Sequence, residues 1–156
     1  MEQDPMFSFR IEVDIALKAL SPAINDPTTA VLAIDQLHRL LRMVGKRSLR
    51  THEIMDKAGQ LRVIFCTPNW EDFVHITFRE IRQFGAGSIQ IARRLREMVE
   101  SLTQSLPAHR HPPLLEELEL LDRAMTRHYQ FPEDLALARI PDSQGLGATS
   151  HKQSQV

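Results

Sequence analysis

Apolar residues return every three or four positions along most of this chain, which is the period of an amphipathic helix. Five such stretches occur, and the residues between them are rich in proline, glycine, asparagine and aspartate, which start or end helices. The pattern therefore predicts a mainly α protein. The five predicted helices cover about 6–20, 28–44, 67–84, 88–106 and 114–129.

The first predicted helix carries apolar residues around most of its circumference, which indicates a central place in the fold. Its charged residues Arg10, Asp14 and Lys18 are spaced i, i+4, i+8 and form one stripe. One interpretation is a solvated face with two ion pairs, each contributing about 0.2–0.5 kcal/mol. The other is that Arg10 and Asp14 face the turn after this helix, because charges on a buried helix need partners or water.

That turn contains two prolines around an Asn-Asp pair. Pro22 disfavours helical geometry in the residue before it, so the first helix should end near Leu20. Asp26 followed by Pro27 predicts an N-cap and the first residue of the second helix, and Asp4 followed by Pro5 predicts the same for the first helix. Thr67-Pro68 is expected to start the third helix in the same way. Asn25 has no such explanation, and it either bonds to neighbouring backbone or points with Asp26 into a site.

Residues 48–66 depart from the helical period. The β-branched run Leu61–Phe65 follows turn residues, which predicts a small β-hairpin at about 50–66. A short helical piece is expected from Pro132 to about residue 139, and a polar Gly/Ser/Gln-rich segment follows. We therefore predict one five-helix, orthogonal or bundle-like domain at 1–140, with the small β-hairpin and a disordered, flexible tail at 141–156.

Composition narrows the function classes. The 156 residues are 42% hydrophobic and 25% charged, as expected of one ordinary globular domain, and the net charge is −1. That charge gives no basic field for nucleic acid, so no nucleic-acid partner is expected. No apolar run reaches the roughly 18 residues of a membrane span. Cys66 is the single cysteine, which excludes an intramolecular disulfide and a Cys-based zinc site.

The remaining polar groups predict no metal site and no cofactor. His38 lies beside the apolar stripe of the second helix without other ligands at metal spacing, so a packed or surface histidine is expected. Arg93, Arg94 and Arg96 are spread around the fourth helix, a pattern typical of a solvated surface.

Several motifs together resemble a known family. The longest is Ala-Leu-Ser-Pro-Ala-Ile-Asn-Asp-Pro-Thr-Thr-Ala at 19–30, preceded by Glu-Gln-Asp-Pro at 2–5. The others are Thr-Pro-x-Trp-Glu-Asp at 67–72, Arg-Gln-Phe-Gly-Ala-Gly-Ser at 82–88 and Asp-x-Gln-Gly-Leu-Gly at 142–147. Over nearly its whole length, the chain is similar to the C-terminal region of domain-of-unknown-function family 2254, a family of bacterial predicted membrane proteins.

The resemblance implies a location and no chemistry. Members of that family carry N-terminal transmembrane helices and a β-rich segment before this region. The chain would then correspond to a soluble, cytoplasmic part of a protein of the cell membrane, as a natural short form or a fragment. The family supplies no activity that can be transferred.

Two functional hypotheses follow. In the first, the helical domain acts in interaction, assembly or regulation, through self-association or contact with the missing membrane or β-rich part. In the second, Arg10, Asp14, Asn25 and Asp26 form a small-molecule or anion-binding pocket. Arg10 would bind the anion, Asp14 would act as a base or ligand, and Asn25 would orient the bound group. No motif defines a reaction, so an enzyme is not predicted, although a catalytic pocket stays an alternative.

Overall fold

The computed structural model describes residues 4–49, 52–55, 58–65 and 67–142. Within them the chain forms six α-helices, a short 3-10 helix at Ala108–Arg110 and two short strands. The helices are α1 (Pro5–Leu20), α2 (Pro27–Gly45), α3 (Trp70–Gly85), α4 (Ile89–Ser105), α5 (His111–His128) and α6 (Pro132–Ala138). The strands β1 (His52–Met55) and β2 (Leu61–Phe65) lie between α2 and α3 and pair antiparallel, with Ile54 opposite Val63.

Side chains at the helix starts explain where the first three helices begin. Asp4 Oδ1 accepts from the Met6 amide at 3.0 Å, and Asp26 Oδ1 accepts from the Thr29 amide at 3.1 Å, so both predicted N-caps are confirmed. The predicted start of the third helix at Thr67-Pro68 is wrong. Asn69 is the N-cap there, because its side chain and that of Asp72 form a reciprocal capping box.

The helices surround one hydrophobic core. α1 packs against α2 and α3, α2 packs on α4, α3 packs on α5, and α4 also contacts α5 and α6. Phe9 of α1 and Phe73 of α3 are buried with ring centroids 5.0 Å apart, which joins the first and third helices at the centre. Burial of such side chains is the main stabilising contribution, at about 25 cal/mol for each Å² of apolar surface.

The predicted fold class, a five-helix domain with one small β-hairpin, is wrong in its number of helices, whereas β1 and β2 lie within the predicted hairpin at about 50–66. Six helices are present in the described residues, because Pro132 starts α6 with acidic residues in its first turn, and Ala138 of α6 is fully buried. The core of the described residues is helical. β1 and β2 form a two-stranded ribbon, which is too small to build a sheet core.

The predicted flexible tail, apart from Pro141 and Asp142, lies outside the described residues. Pro141 and Asp142 follow α6 along α4, where the Arg93 guanidinium donates to the Ile140 carbonyl at 3.0 Å. The Asp142 amide donates to the Arg93 carbonyl at 3.3 Å. In the part of the chain that the structure describes, no helix is both long enough and apolar enough to cross a membrane.

Candidate functional site

The turn between α1 and α2 is held by its own backbone and by Asp26. The amides of Asn25 and Asp26 donate to the carbonyls of Ser21 and Ala19, both at 2.8 Å. Asp26 also accepts from the Thr29 hydroxyl at 2.5 Å. Hydrogen bonds from the Thr29 side chain and then its amide hold the pKa of the Asp26 carboxyl below its ordinary value. The carboxylate is therefore occupied as a helix cap.

Asn25 has a conformational role in this turn. Its φ is 46°, the one positive φ among the described non-glycine residues, and its side chain is exposed. Asparagine tolerates this left-handed region better than other residues with a Cβ. The geometry therefore accounts for Asn25 without a ligand, and its predicted orienting role stays a prediction.

Substitutions at Asn25 should follow backbone preference. Asn25→Gly is expected to leave the free energy of unfolding within about 0.5 kcal/mol, because glycine adopts positive φ freely. Asn25→Ala is expected to lower it by about 1 kcal/mol. Urea unfolding of the two variants measures the difference, and equal losses from Gly and Ala would show that the amide side chain itself stabilises the turn.

The structure separates Arg10 from this turn. Leu20 lies ten positions after Arg10 on α1, which corresponds to about 15 Å along the helix axis. Asp14 lies one turn nearer, and both side chains are exposed. Of the four predicted site residues, Asn25 and Asp26 are adjacent in the turn, whereas Arg10 lines a groove between α1 and α3.

That groove has a volume of about 1030 Å³ and combines charged and apolar walls. Met6, Arg10 and Val13 line it from α1, and His75, Ile76 and Arg79 line it from α3. An Arg79 Nη2 to His75 Nδ1 contact of 3.4 Å connects the two residues along the α3 wall. The groove therefore places two guanidinium groups from different helices beside an apolar surface.

Three carboxylates, those of Asp4, Asp72 and Glu80, also line the groove. Asp4 caps α1, and Asp72 Oδ2 accepts from the Asn69 amide at 2.9 Å, while Glu80 is exposed. Across the described residues, neither Arg10 nor Arg79 forms an ion pair with a carboxylate. Both guanidinium groups therefore keep donors that no carboxylate occupies, although the groove carries three carboxylates against two arginines.

A second polar cluster lies inside the fold, between α2 and α4. Arg94 is fully buried, and its Nε lies 2.5 Å from Asp35 Oδ1. Arg94 Nη2 lies 3.3 Å from His38 Nδ1, and Arg42 Nη2 lies 3.0 Å from His38 Nε2. We name Asp35, His38, Arg42 and Arg94 the buried cluster.

This cluster corrects the sequence prediction for the arginines of α4. A solvated surface was predicted for Arg93, Arg94 and Arg96, but Arg94 is 0% exposed and Arg96 is 9% exposed. Arg96 pairs with Asp122 of α5, and Arg94 Nη1 donates to the Asp142 carbonyl at 3.4 Å. Partners distant in sequence therefore make burial of these charges possible.

Burial first, and then the positive charges of Arg42 and Arg94, together lower the pKa of His38 to about 3. The imidazole is therefore neutral near pH ~7, where its unperturbed form would begin to titrate. A neutral ring has one acceptor nitrogen, which receives a hydrogen bond from one of the two arginines. The cluster has the features of a stabilising network. Among the described residues, no group of three His, Cys, Asp or Glu side chains could hold a metal ion.

The fold is a helical unit with a groove between α1 and α3. In its described residues, no helix could span a membrane. The chain belongs to domain-of-unknown-function family 2254, whose members are described as predicted membrane proteins. The sequence model of that family matches residues 1–101. The resemblance inferred from the motifs is thereby confirmed.

Similar proteins occur in mycobacteria. Uncharacterised proteins of Mycobacterium bovis and Mycobacterium tuberculosis are 29% identical to this chain over 138 residues. The match covers 88% of this chain and 26% of each relative, so the chain spans about a quarter of their length. No solved structure gives a significant match.

Proposed function

We propose that this helical unit is an assembly domain within a family of membrane proteins, and that it self-associates through α1. One observation carries the proposal. Phe7, Ile11 and Ile15 are 59%, 43% and 42% exposed, and they are spaced i, i+4, i+8 on α1. We name these three residues the apolar stripe. Exposed apolar residues scattered singly need no explanation, but a continuous row along one helix is typical of an interface.

The spacing of the apolar stripe suits a contact with its own copy. Residues four apart form a ridge on a helix, and two such ridges interdigitate when helices cross at about −50°. A two-fold axis near Ile11 would bring the same surface of both copies together. α2, which packs against α1, also carries two exposed apolar residues, Leu32 and Met43.

The charges beside the stripe support an antiparallel pairing. Arg10, Asp14 and Lys18 alternate in sign along α1 and are exposed. When two helices run antiparallel about a two-fold axis, the same flank of each copy meets, so Asp14 of one copy can lie near a basic residue of the other. A net charge of −1 adds little repulsion between copies.

In the longer relatives, such contacts would join neighbouring membrane proteins or hold a regulatory state. We propose a cytoplasmic position for this unit, since a fold with a single cysteine does not depend on an oxidising compartment. A protease-accessibility assay on sealed and opened membrane vesicles that carry a full-length relative tests on which side of the membrane this unit lies. Cleavage of this region only from the cytoplasmic face is expected, and cleavage only from the opposite face would contradict it.

Light scattering coupled to size exclusion tests self-association. At about 100 µM, the measured mass is expected to be twice that of the monomer. This concentration is chosen because a modest interface associates only weakly. Ile11→Glu should convert it to a monomer, because a charge at the centre of the stripe would be buried in the dimer. Leu115→Glu is the matched control, since Leu115 is 48% exposed on α5.

Helical circular dichroism should be unchanged in both variants, because both positions are exposed. A monomeric parent protein at this concentration, or an Ile11→Glu variant that stays dimeric, would overturn the proposal.

A further inference from the structure

We propose that a small pocket between the C-terminal half of α5 and the end of α6 binds a phosphate group. Its volume is about 360 Å³, near the lower end for ligand sites, which suits a small anion better than a large organic molecule. The lining residues are Asp122, Arg123, Thr126 and Arg127 of α5 and Arg139, the C-cap of α6. We name this site the arginine pocket.

The lining of the arginine pocket is positively charged. Three arginines and one carboxylate, that of Asp122, give it a formal charge of +2. Asp122 is itself paired with Arg96 of α4, which is buried. The next acidic residues along α5 and α6, which are Glu119, Glu133 and Asp134, are not among the lining residues. The charge of the pocket therefore favours an anion over a cation.

Contacts with Asp122 bring arginines from two other helices to this face of α5. Asp122 Oδ1 is the partner of Arg96 and lies 3.6 Å from Arg139 Nε. Arg123 directly follows Asp122, and Arg127 is its i+4 neighbour, so the Cβ atoms of these two arginines are about 5–6 Å apart. Arg139 is therefore held beside the helix face that carries the other two arginines of the pocket.

The arginines of the pocket keep donors for a ligand. In the part of the chain that the structure describes, neither Arg123 nor Arg127 forms an ion pair with a carboxylate. Arg139 faces Asp122 with its Nε, and its side chain is 48% exposed. Because a guanidinium carries five N–H donors, the two Nη groups of Arg139 are left for a ligand.

Phosphate suits donors from two helices better than a carboxylate does. A carboxylate has two oxygens, which a single guanidinium can occupy in a bidentate pair. A phosphate group has at least three acceptor oxygens, so it can accept from α5 and from α6 at the same time. Inorganic phosphate, a soluble phosphate ester and a phospholipid headgroup share this chemistry.

A two-dimensional amide NMR titration with inorganic phosphate at constant ionic strength tests the site. We expect a dissociation constant near ~1 mM, with shifts confined to α6 and the C-terminal half of α5. Acetate should bind about tenfold more weakly. Arg127→Gln and Arg139→Gln should each weaken phosphate binding about tenfold. Arg39→Gln is the matched control, because Arg39 is an exposed arginine of α2 outside the pocket.

Sedimentation with phosphatidylcholine vesicles, with and without phosphatidic acid, distinguishes the sources of the phosphate group. Sedimentation that needs both phosphatidic acid and the two arginines assigns a lipid headgroup, and binding of inorganic phosphate without vesicle binding assigns a soluble ligand. Absence of saturable shifts with inorganic phosphate, equal affinity for acetate, or unchanged binding by the double variant of Arg127 and Arg139 would overturn the proposal. The double variant should keep the dimer mass, because neither residue lies on α1, so this site and self-association can fail independently.

Discussion

Arg94→Met is expected to lower the free energy of unfolding by about 3–5 kcal/mol, which is a large part of the stability of a domain of this size. The reason is the buried cluster. Asp35 is 3% exposed and lies 2.5 Å from the Arg94 guanidinium, so loss of that guanidinium removes the nearest compensating charge. Urea unfolding followed by circular dichroism measures the change.

Two further variants isolate the cause of this loss. Arg123→Met removes an exposed arginine of α5 and should change stability by less than about 0.5 kcal/mol. Asp35→Leu combined with Arg94→Met removes both charges and should recover at least half of the loss, because paired replacement by apolar residues is often neutral. A double variant as unstable as the sum of both single variants would show that the two charges are not coupled.

Acid is expected to destabilise the fold through His38. Its pKa is about 3 in the folded protein and 6.5 in its ordinary state, so only the unfolded chain binds the proton as pH falls below that ordinary value. The contribution is fully present above pH ~6.5 and is lost as pH falls towards ~3. Between pH ~7 and pH ~5, this group should reduce the free energy of unfolding by about 2 kcal/mol.

His38→Gln measures that contribution against the carboxylates that titrate in the same range. The free energy of unfolding is plotted against pH for parent and variant. The difference between the two slopes should equal the contribution of His38, because glutamine carries no titrating proton. The groups that face His38 are Arg42 on its own helix and Arg94 from α4, with Asp35 next to Arg94. His109→Gln, at an exposed position, should leave the slope unchanged. Parallel curves for parent and His38→Gln would show that the pKa of His38 is the same in the folded and unfolded states.

Local signals predicted much of the helical framework. The pairs Asp4-Pro5 and Asp26-Pro27 mark true helix starts, because an N-cap and a first-turn proline depend only on neighbouring residues. The start of α3 was missed since Thr67-Pro68 resembled the same signal, whereas Asn69 and Asp72 make the reciprocal bonds. α6 was underestimated as part of the domain because its packing against α4 depends on tertiary structure.

Long-range contacts account for what the sequence could not predict about the sites. Asp35 and His38 lie on α2 and Arg94 on α4, and no local pattern states that these helices meet. Polar residues beside the buried apolar face of α2 were a signal, but the sequence did not show which residues they would contact. The groove likewise depends on the contact between α1 and α3, so Arg10 could be singled out while Arg79 could not. The role of Asn25 could not be predicted, because it depends on the φ of this residue, which the sequence does not give.

Cysteine cross-linking tests the proposed assembly through α1 most directly. In a Cys66→Ser background, cysteine is placed at position 11 or, as control, at position 115 of α5. Both replaced residues are exposed to a similar degree, 43% and 48%. We predict that mild oxidation yields a disulfide-linked dimer rapidly at position 11 and only slowly at position 115, because the two-fold axis brings both copies of residue 11 together. Equal rates at the two positions, or no cross-link at position 11, would contradict self-association through the apolar stripe.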